Sequence, residues 1–187
     1  MNTATGNLED DHVHILRLID VMEFITLNKI SDVNHLEIIV DIIRNFADGL
    51  HHAKEENLFF PFLATKGFSP QEGPVAIMLN EHVQGRNFVK GISDNIILYK
   101  NGNKSASVEI YRNMNGYSDL LRNHIAKENN ILFRMADNVL SESEHNQLLY
   151  RFGELEKVHY SSSGPKDYIK MIENLVTFYE IQDQASQ

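Results

Sequence analysis

The chain has 187 residues, no cysteine, and a formal net charge of -9 with a pI near 5.4. That length fits one domain, or one with an appendage, and allows a sizeable core. The acidic balance argues against nucleic acid or an anionic membrane as partner, and the missing cysteines exclude disulfides, thiol chemistry, thiolate zinc sites and cysteine-held iron–sulfur clusters. The start is not basic-then-apolar and no apolar run is long enough to span a bilayer, so a cytoplasmic protein with no membrane partner is expected.

Apolar residues recur at helical spacing almost throughout, and alternating strand-like runs are lacking. A first helix is predicted over residues 7–27, with Leu8, Ile15, Ile19 and Met22 on one face. Ser31 or Asp32 can cap a second helix that runs to about Ala64, where Lys66-Gly67 stops it. Ser69-Pro70 and Gly73-Pro74 turn the chain into a third helix, which continues to about Lys100. After the break at Asn101-Gly102-Asn103, a fourth runs from Ser105 to about Leu140. Ser141 and Glu144 form a capping-box pattern that opens a fifth helix to about His159. The stretch "SSSGP", residues 161–165, reads as a linker before a sixth helix to about Ile181. Four long helices joined by short turns predict an all-α fold. The expected form is an up-down-up-down four-helix bundle over residues 1–140, with two additional C-terminal helices in residues 141–187 packed on it.

An internal repeat places the chemistry. "HHAKEENLFF" (51–60) and "HIAKENNILF" (124–133) match at His51/His124, Ala53/Ala126, Lys54/Lys127, Glu55/Glu128, Asn57/Asn130 and Phe60/Phe133. Upstream, "DHV" at 11–13 resembles "EHV" at 81–83 and pairs His12 with His82. Each half is therefore a helix with one histidine, then a helix with His-x-x-x-Glu. Four residues rise about 6 Å and make slightly more than one turn, so His51 and Glu55 share a face, as do His124 and Glu128. Steps of seven residues lead from these groups to Ile19, Phe62, Val89 and Met135, all apolar, so the polar face is predicted to point inward. Burying such groups unpaired costs several kcal/mol each, and a pair of metal ions is the natural compensation. Four imidazoles and two carboxylates suit iron or manganese better than a closed tetrahedral zinc site. If each glutamate bridges two octahedral ions that also share an oxo or hydroxo bridge, positions remain open for a small ligand.

His52 and Glu56 form a second pair four apart, rotated by about 100° from the first. A shifted register would choose them instead. The repeat favours His51 and Glu55, because Asn129 rather than a second glutamate follows Glu128, and leaves His52 and Glu56 as supporting or surface groups. Arg86, one turn beyond His82, is expected to pair with a carboxylate on an adjacent helix, and Tyr117 to be a core tyrosine. His14, His35, His145 and His159 have no repeat partner and are expected on solvated faces. Glu-x-x-His spacings of the ferritin-like kind occur at Glu9/His12, Glu142/His145 and Glu156/His159, but the last two fall on one helix outside the repeat.

The motifs "DHVHIL", "FADGLHHAKEENLFFPFL", "NEHVQGR" and "HIAKENNILF" resemble, in order, those of the hemerythrin-like, or HHE cation-binding, family over about residues 8–140. The resemblance implies a four-helix bundle with a non-haem di-iron centre whose ligands, by position, are His12, His51, Glu55, His82, His124 and Glu128. Oxygen-carrying members pair two histidines four apart on the third helix, where this chain has Arg86 after His82. They also place an aspartate five residues after the fourth-helix histidine, where this chain has Asn129. The symmetric set is closer to the di-iron domain of iron–sulfur cluster repair proteins, without their cysteine-bearing N-terminal segment.

The expected function is binding or reduction of a small oxidant (O2, peroxide or NO) at a centre of two iron ions held by four histidines and two glutamates. Manganese and zinc are the alternative metals. Peroxide- or NO-reducing turnover is one form this takes. The other readings are an iron-, oxygen- or NO-responsive sensor or partner-binding module, and iron storage without turnover. The expected partner is a small diatomic molecule or peroxide, not nucleic acid or membrane.

Overall fold

The computed structural model describes residues 3–159 and 164–181, and every regular element among them is helical. α1 (Ala4–Leu27) starts before residue 7 because Thr3 caps it, its hydroxyl accepting the Gly6 N–H at 3.0 Å. Asp32 caps α2 by accepting the His35 N–H at 3.1 Å. α2 occupies residues 33–64 as one continuous rod but not one α-helix. After Val33–Ile42 it widens into π-helical turns at Ile43–His52 and again at Glu55–Phe59, then regains α geometry at Phe60–Ala64. α3 (Gly73–Lys100) begins on a left-handed Gly73, φ 75°, followed by Pro74 in the first turn. α4 occupies residues 106–139, with a π-helical stretch at Glu128–Leu132 between Ala106–Lys127 and Phe133–Val139. α5 (Glu142–His159) opens on the expected capping box, the Glu144 carboxylate accepting the Ser141 N–H at 2.9 Å. α6 (Gly164–Phe178) stops short of Ile181. Residues 161–163 of the expected linker lie outside the described residues. Among the described residues, no helix is long and apolar enough to cross a membrane.

α1 packs on α2 and α4, α2 on α3, and α3 on α4, while α5 and α6 lie against α1 and α2. Each of the first four helices contributes to two apolar clusters separated by a polar interval. Leu8, Phe59, Met78 and Leu132 belong to one cluster, and Ile15, Leu50, Val89 and Leu121 to the other. The order alternates along the chain: α1 and α3 pass from the Leu8 cluster to the Ile15 cluster, and α2 and α4 pass back. α5 adds Leu148 and Phe152 to the first cluster, and α6 adds Ile172 and Leu175 to the second. His145 on α5, expected in solvent, is instead buried, its Nδ1 accepting the Ala4 N–H at 3.3 Å. His14 and His35 are half-buried, and of the four unrepeated histidines only His159 is exposed.

The π turns overturn one sequence expectation. Steps of seven reach buried Ile19 and Val89, but Phe62 is only half-buried and Met135 is 40 % exposed. Leu63 and Ala136, one residue further along, are buried in their place. A π turn closes i→i+5 rather than i→i+4 and spends one extra residue, so the inward face slips by one after Glu55 and after Glu128.

The wide turn also sets a steric limit at Gly49. A Cβ there would lie 2.7 Å from the Arg44 carbonyl oxygen and 2.8 Å from Cε1 of His159 on α5. Alanine gains about 1 kcal/mol of helix propensity over glycine, whereas overpacking costs about 1–3 kcal/mol. Because one obstacle is backbone, the steric cost wins. Gly49→Ala is expected to lose about 1–2 kcal/mol net, measured by urea unfolding.

Candidate metal centre

All six predicted ligands reach the polar interval between the two apolar clusters. His12 comes from α1, His51 and Glu55 from α2, His82 from α3, and His124 and Glu128 from α4. His52 joins them, and all seven side chains belong to residues no more than 4 % exposed. The repeat, with Asn129 where a second glutamate would stand, left His52 as a supporting or surface group, a choice that assumed α-helical spacing between adjacent residues. His52 lies in the π-helical stretch, whose wider turn lets His51 and His52 both face inward. A signal was present: Asp48 precedes His52 by four residues, the spacing of an acid that can hold an imidazole.

The carboxylates lie between the imidazoles. Glu55 Oε1 is 3.7 Å from His51 Nε2, and its Oε2 is 3.4 Å from His82 Nε2. Glu128 Oε2 lies 3.2 Å from both His12 Nε2 and His124 Nε2. The donor atoms fall into two sets, each within 4.8 Å: His12, His51, Glu55 and Glu128, and His52, Glu55, His82 and His124. Glu55 belongs to both.

Every imidazole is held from behind through Nδ1. His12 reaches Asn129 Oδ1 at 2.7 Å, His82 reaches Glu56 at 2.7 Å, His51 reaches Asp11 at 3.4 Å, His124 reaches Glu81 at 2.9 Å, and His52 reaches Asp48 at 3.2 Å. Four of these contacts follow the repeat. The acid preceding the first histidine of each half, Asp11 or Glu81, holds the second histidine. The residue following each inner glutamate, Glu56 or Asn129, holds the first histidine of the other half. Lys54 and Lys127 ion-pair with Asp11 and Glu81 in turn. Glu56 thus supports His82, as the reading of a supporting pair allowed. Arg86 pairs with Asp48 and Glu56 of α2, each at 2.7 Å, as expected of an arginine facing a neighbouring helix.

Proton placement follows from these partners. Burial raises the pKa values of Asp11, Asp48, Glu56 and Glu81, but bonds to the imidazoles and the nearby cationic side chains outweigh it, and all four are lowered. Ionised carboxylates only accept, so the Nδ1 hydrogens sit on the outer side and the Nε2 lone pairs face inward. His12 Nε2 and His51 Nε2 are 3.0 Å apart, and His82 Nε2 and His124 Nε2 are 3.2 Å apart. His52 Nε2 and all four oxygens of Glu55 and Glu128 have no hydrogen-bond partner among the described residues. A buried space lined by acceptors and lacking donors needs positive charge. Protons fill that need in part. Burial opposes charging His124, but Glu128 overrides it and pushes the pKa up to about 10. Burial and then the charge of His82 hold His52 well below the ordinary histidine range, leaving a neutral nitrogen with a free lone pair. The donor set therefore fits metal cations, with outer partners that orient each ligand.

A cavity of about 210 Å³ lies between α2, α3 and α4 and reaches the cluster at His52. Ile43, Val89 and Tyr117 line its walls, and Arg86 stands among its polar residues. Tyr117 is 3 % exposed, a core residue as expected, yet its ring forms part of this wall.

A family model described as the hemerythrin HHE cation binding domain matches residues 3–136. No curated protein and no solved structure matches the chain. α5 and α6 lie beyond the matched residues.

Proposed function

The chain belongs to the hemerythrin HHE cation-binding family, and from that premise we propose that its buried centre holds two iron ions and binds or reduces a small oxidant: dioxygen, peroxide or nitric oxide. One observation carries the reading. Glu55 presents one oxygen toward His51 and the other toward His82, the placement a carboxylate needs to span two cations. His12, His51 and Glu128 complete one set, and His52, His82 and His124 the other. Each set offers four donor groups, fewer than an octahedral ion takes, which leaves room for an exogenous ligand. The alternation of apolar clusters supports reading α1 to α4 as the up-and-down bundle of the family.

The remaining residues control access and orientation. The 210 Å³ cavity exceeds the roughly 30 Å³ share of one water, so a diatomic gas or peroxide fits. Ile43 and Val89 keep its walls apolar, and the Arg86 pairs with Asp48 and Glu56 fix the carboxylates that orient His52 and His82. When bound, two ferrous ions supply open coordination positions and the two electrons that peroxide reduction needs.

Anaerobic reconstitution with ferrous iron, metal analysis and separate addition of oxygen, peroxide and nitric oxide tests the reading. Close to two irons per chain is expected, with oxygen- or peroxide-dependent charge-transfer absorption. Colourless, iron-free protein after expression in iron-rich medium overturns it. Repeated peroxide turnover makes the protein an enzyme, whereas reversible binding of one gas without turnover makes it a carrier or sensor.

A further inference from the structure

Lys54 is fully buried, and its ammonium meets three acceptors: Asn7 Oδ1 at 3.1 Å, Asp11 Oδ2 at 2.9 Å and Glu156 Oε1 at 2.8 Å. The same Asp11 oxygen accepts from His51 Nδ1 at 3.4 Å. A continuous polar chain therefore runs from Glu156 through Lys54 and Asp11 to an inner histidine. Asn7, Asp11, His51 and Lys54 belong to the matched family domain, but Glu156 stands on α5, outside it. The repeat supplies an internal comparison. Lys127 and Glu81 reproduce the arrangement behind His124, but the Lys127 side chain is 36 % exposed and, among the described residues, ion-pairs with Glu81 alone. Lys127 is open to solvent, whereas buried Lys54 has Glu156 as its second carboxylate.

We propose that Glu156 is a positioning residue through which the C-terminal helix α5 tunes the cation set containing His51. The physical reason is competition at one oxygen. Asp11 Oδ2 serves both the Lys54 ammonium and the His51 N–H, and each bond weakens the other's acceptor. A buried lysine facing a single carboxylate would draw that carboxylate's charge away from the imidazole. The His51 Nε2 lone pair would then be a weaker donor. Glu156 takes up part of the lysine's charge and leaves Asp11 free to orient and polarise His51. It acts on one set only, because no α5 residue reaches Asp48, Glu56 or Glu81 in any bond found among the described residues.

The inference rests on reading the buried cluster as a cation centre, and its test separates the two. Full-length wild type and Glu156→Gln are titrated with Co2+ as the probe, following the visible spectrum. The Glu156 side chain is 31 % exposed, so the isosteric amide is accommodated. One of the two Co2+ dissociation constants is expected to rise about tenfold, the lower end for a lost outer partner, with the other unchanged. Glu156→Asp, which keeps the charge, should recover most of the loss. Glu154→Gln, on the same helix and paired with Lys157, should change neither constant. A salt bridge that merely fastens α5 would lower the unfolding temperature of metal-free protein and leave both constants at wild-type values, and that result overturns the proposal. If wild type takes up no Co2+, the cation reading fails by itself. The positioning claim is then judged on the His51 ring nitrogens by 15N NMR of metal-free protein. A shift from the Nδ1–H tautomer toward Nε2–H in Glu156→Gln supports it, and identical spectra overturn it.

Discussion

Glu55→Ala is expected to weaken both cations at once, by more than ~100-fold each, since a lost outer partner alone typically costs 10–100-fold. Among the described residues Glu128 also lies 3.2 Å from one histidine of each set, but through a single oxygen, whereas Glu55 is the residue common to both donor sets. Its two oxygens face different histidines, so no rotamer of a neighbour replaces both contacts. His52→Ala provides the contrast. It removes a donor from one set and leaves His12, His51, Glu55 and Glu128 intact, so one cation should remain near its wild-type affinity. Stoichiometry by metal analysis and stepwise titration distinguishes the two variants. Full uptake of two ions by Glu55→Ala would show that the carboxylate does not span them. The fold should survive in the metal-free variant, because the change deletes a buried carboxylate whose oxygens have no hydrogen-bond partner and whose burial is itself unfavourable.

The same residues show how far sequence reasoning reaches. Helix ends set by local chemistry were legible: Asp32 and the Ser141/Glu144 box cap where their side chains suggest, and Gly73-Pro74 starts α3 where expected. The repeat placed six inner side chains because identical spacing on two helix pairs implies identical orientation. What escaped is whatever depends on departure from 3.6 residues per turn. Apolar periodicity assumes that value, so it misplaced Phe62 and Met135 and turned His52 away from the centre. The outer partners were present as letters in the repeat, Asp11 with Glu81 and Lys54 with Lys127. Their role emerges only when α1 meets α2 and α3 meets α4, because each acid holds a histidine from the next helix rather than its own. Glu156 is of another kind. It has no counterpart in the repeat, and only the packing of α5 on α2 brings it to Lys54.

The second large effect is on stability, and it depends on pH in opposite ways with and without metal. In metal-free protein, His124 has a folded pKa pushed up to about 10, against about 6.5 for an unperturbed histidine. A raised pKa contributes stability that is complete below the unfolded value and is lost as pH climbs through the folded one. His12 and His82 are raised as well: burial opposes the shift, and Glu128 and Glu55 respectively outweigh it. Burial raises the Glu128 pKa, but His124 and His12 hold it well below its ordinary value, so its contribution is kept above about 4.5 and lost in acid. Metal-free protein should therefore lose stability steadily from about pH 6.5 toward pH 10, as the protons between the carboxylates leave and the buried negative charge stands alone. A bound cation replaces those protons, so metal-loaded protein should not show this alkaline decline. Binding improves with pH, because the ligand nitrogens must be unprotonated. At free metal a thousandfold above Kd the stabilisation is about 4 kcal/mol, or roughly 8–16 °C in Tm for a domain of this size. Thermal unfolding followed by circular dichroism between pH 6 and 9, in chelator and in excess Co2+, measures the separation. The two curves should diverge as pH rises. Parallel curves would mean that the histidines and carboxylates pair with one another and need no cation.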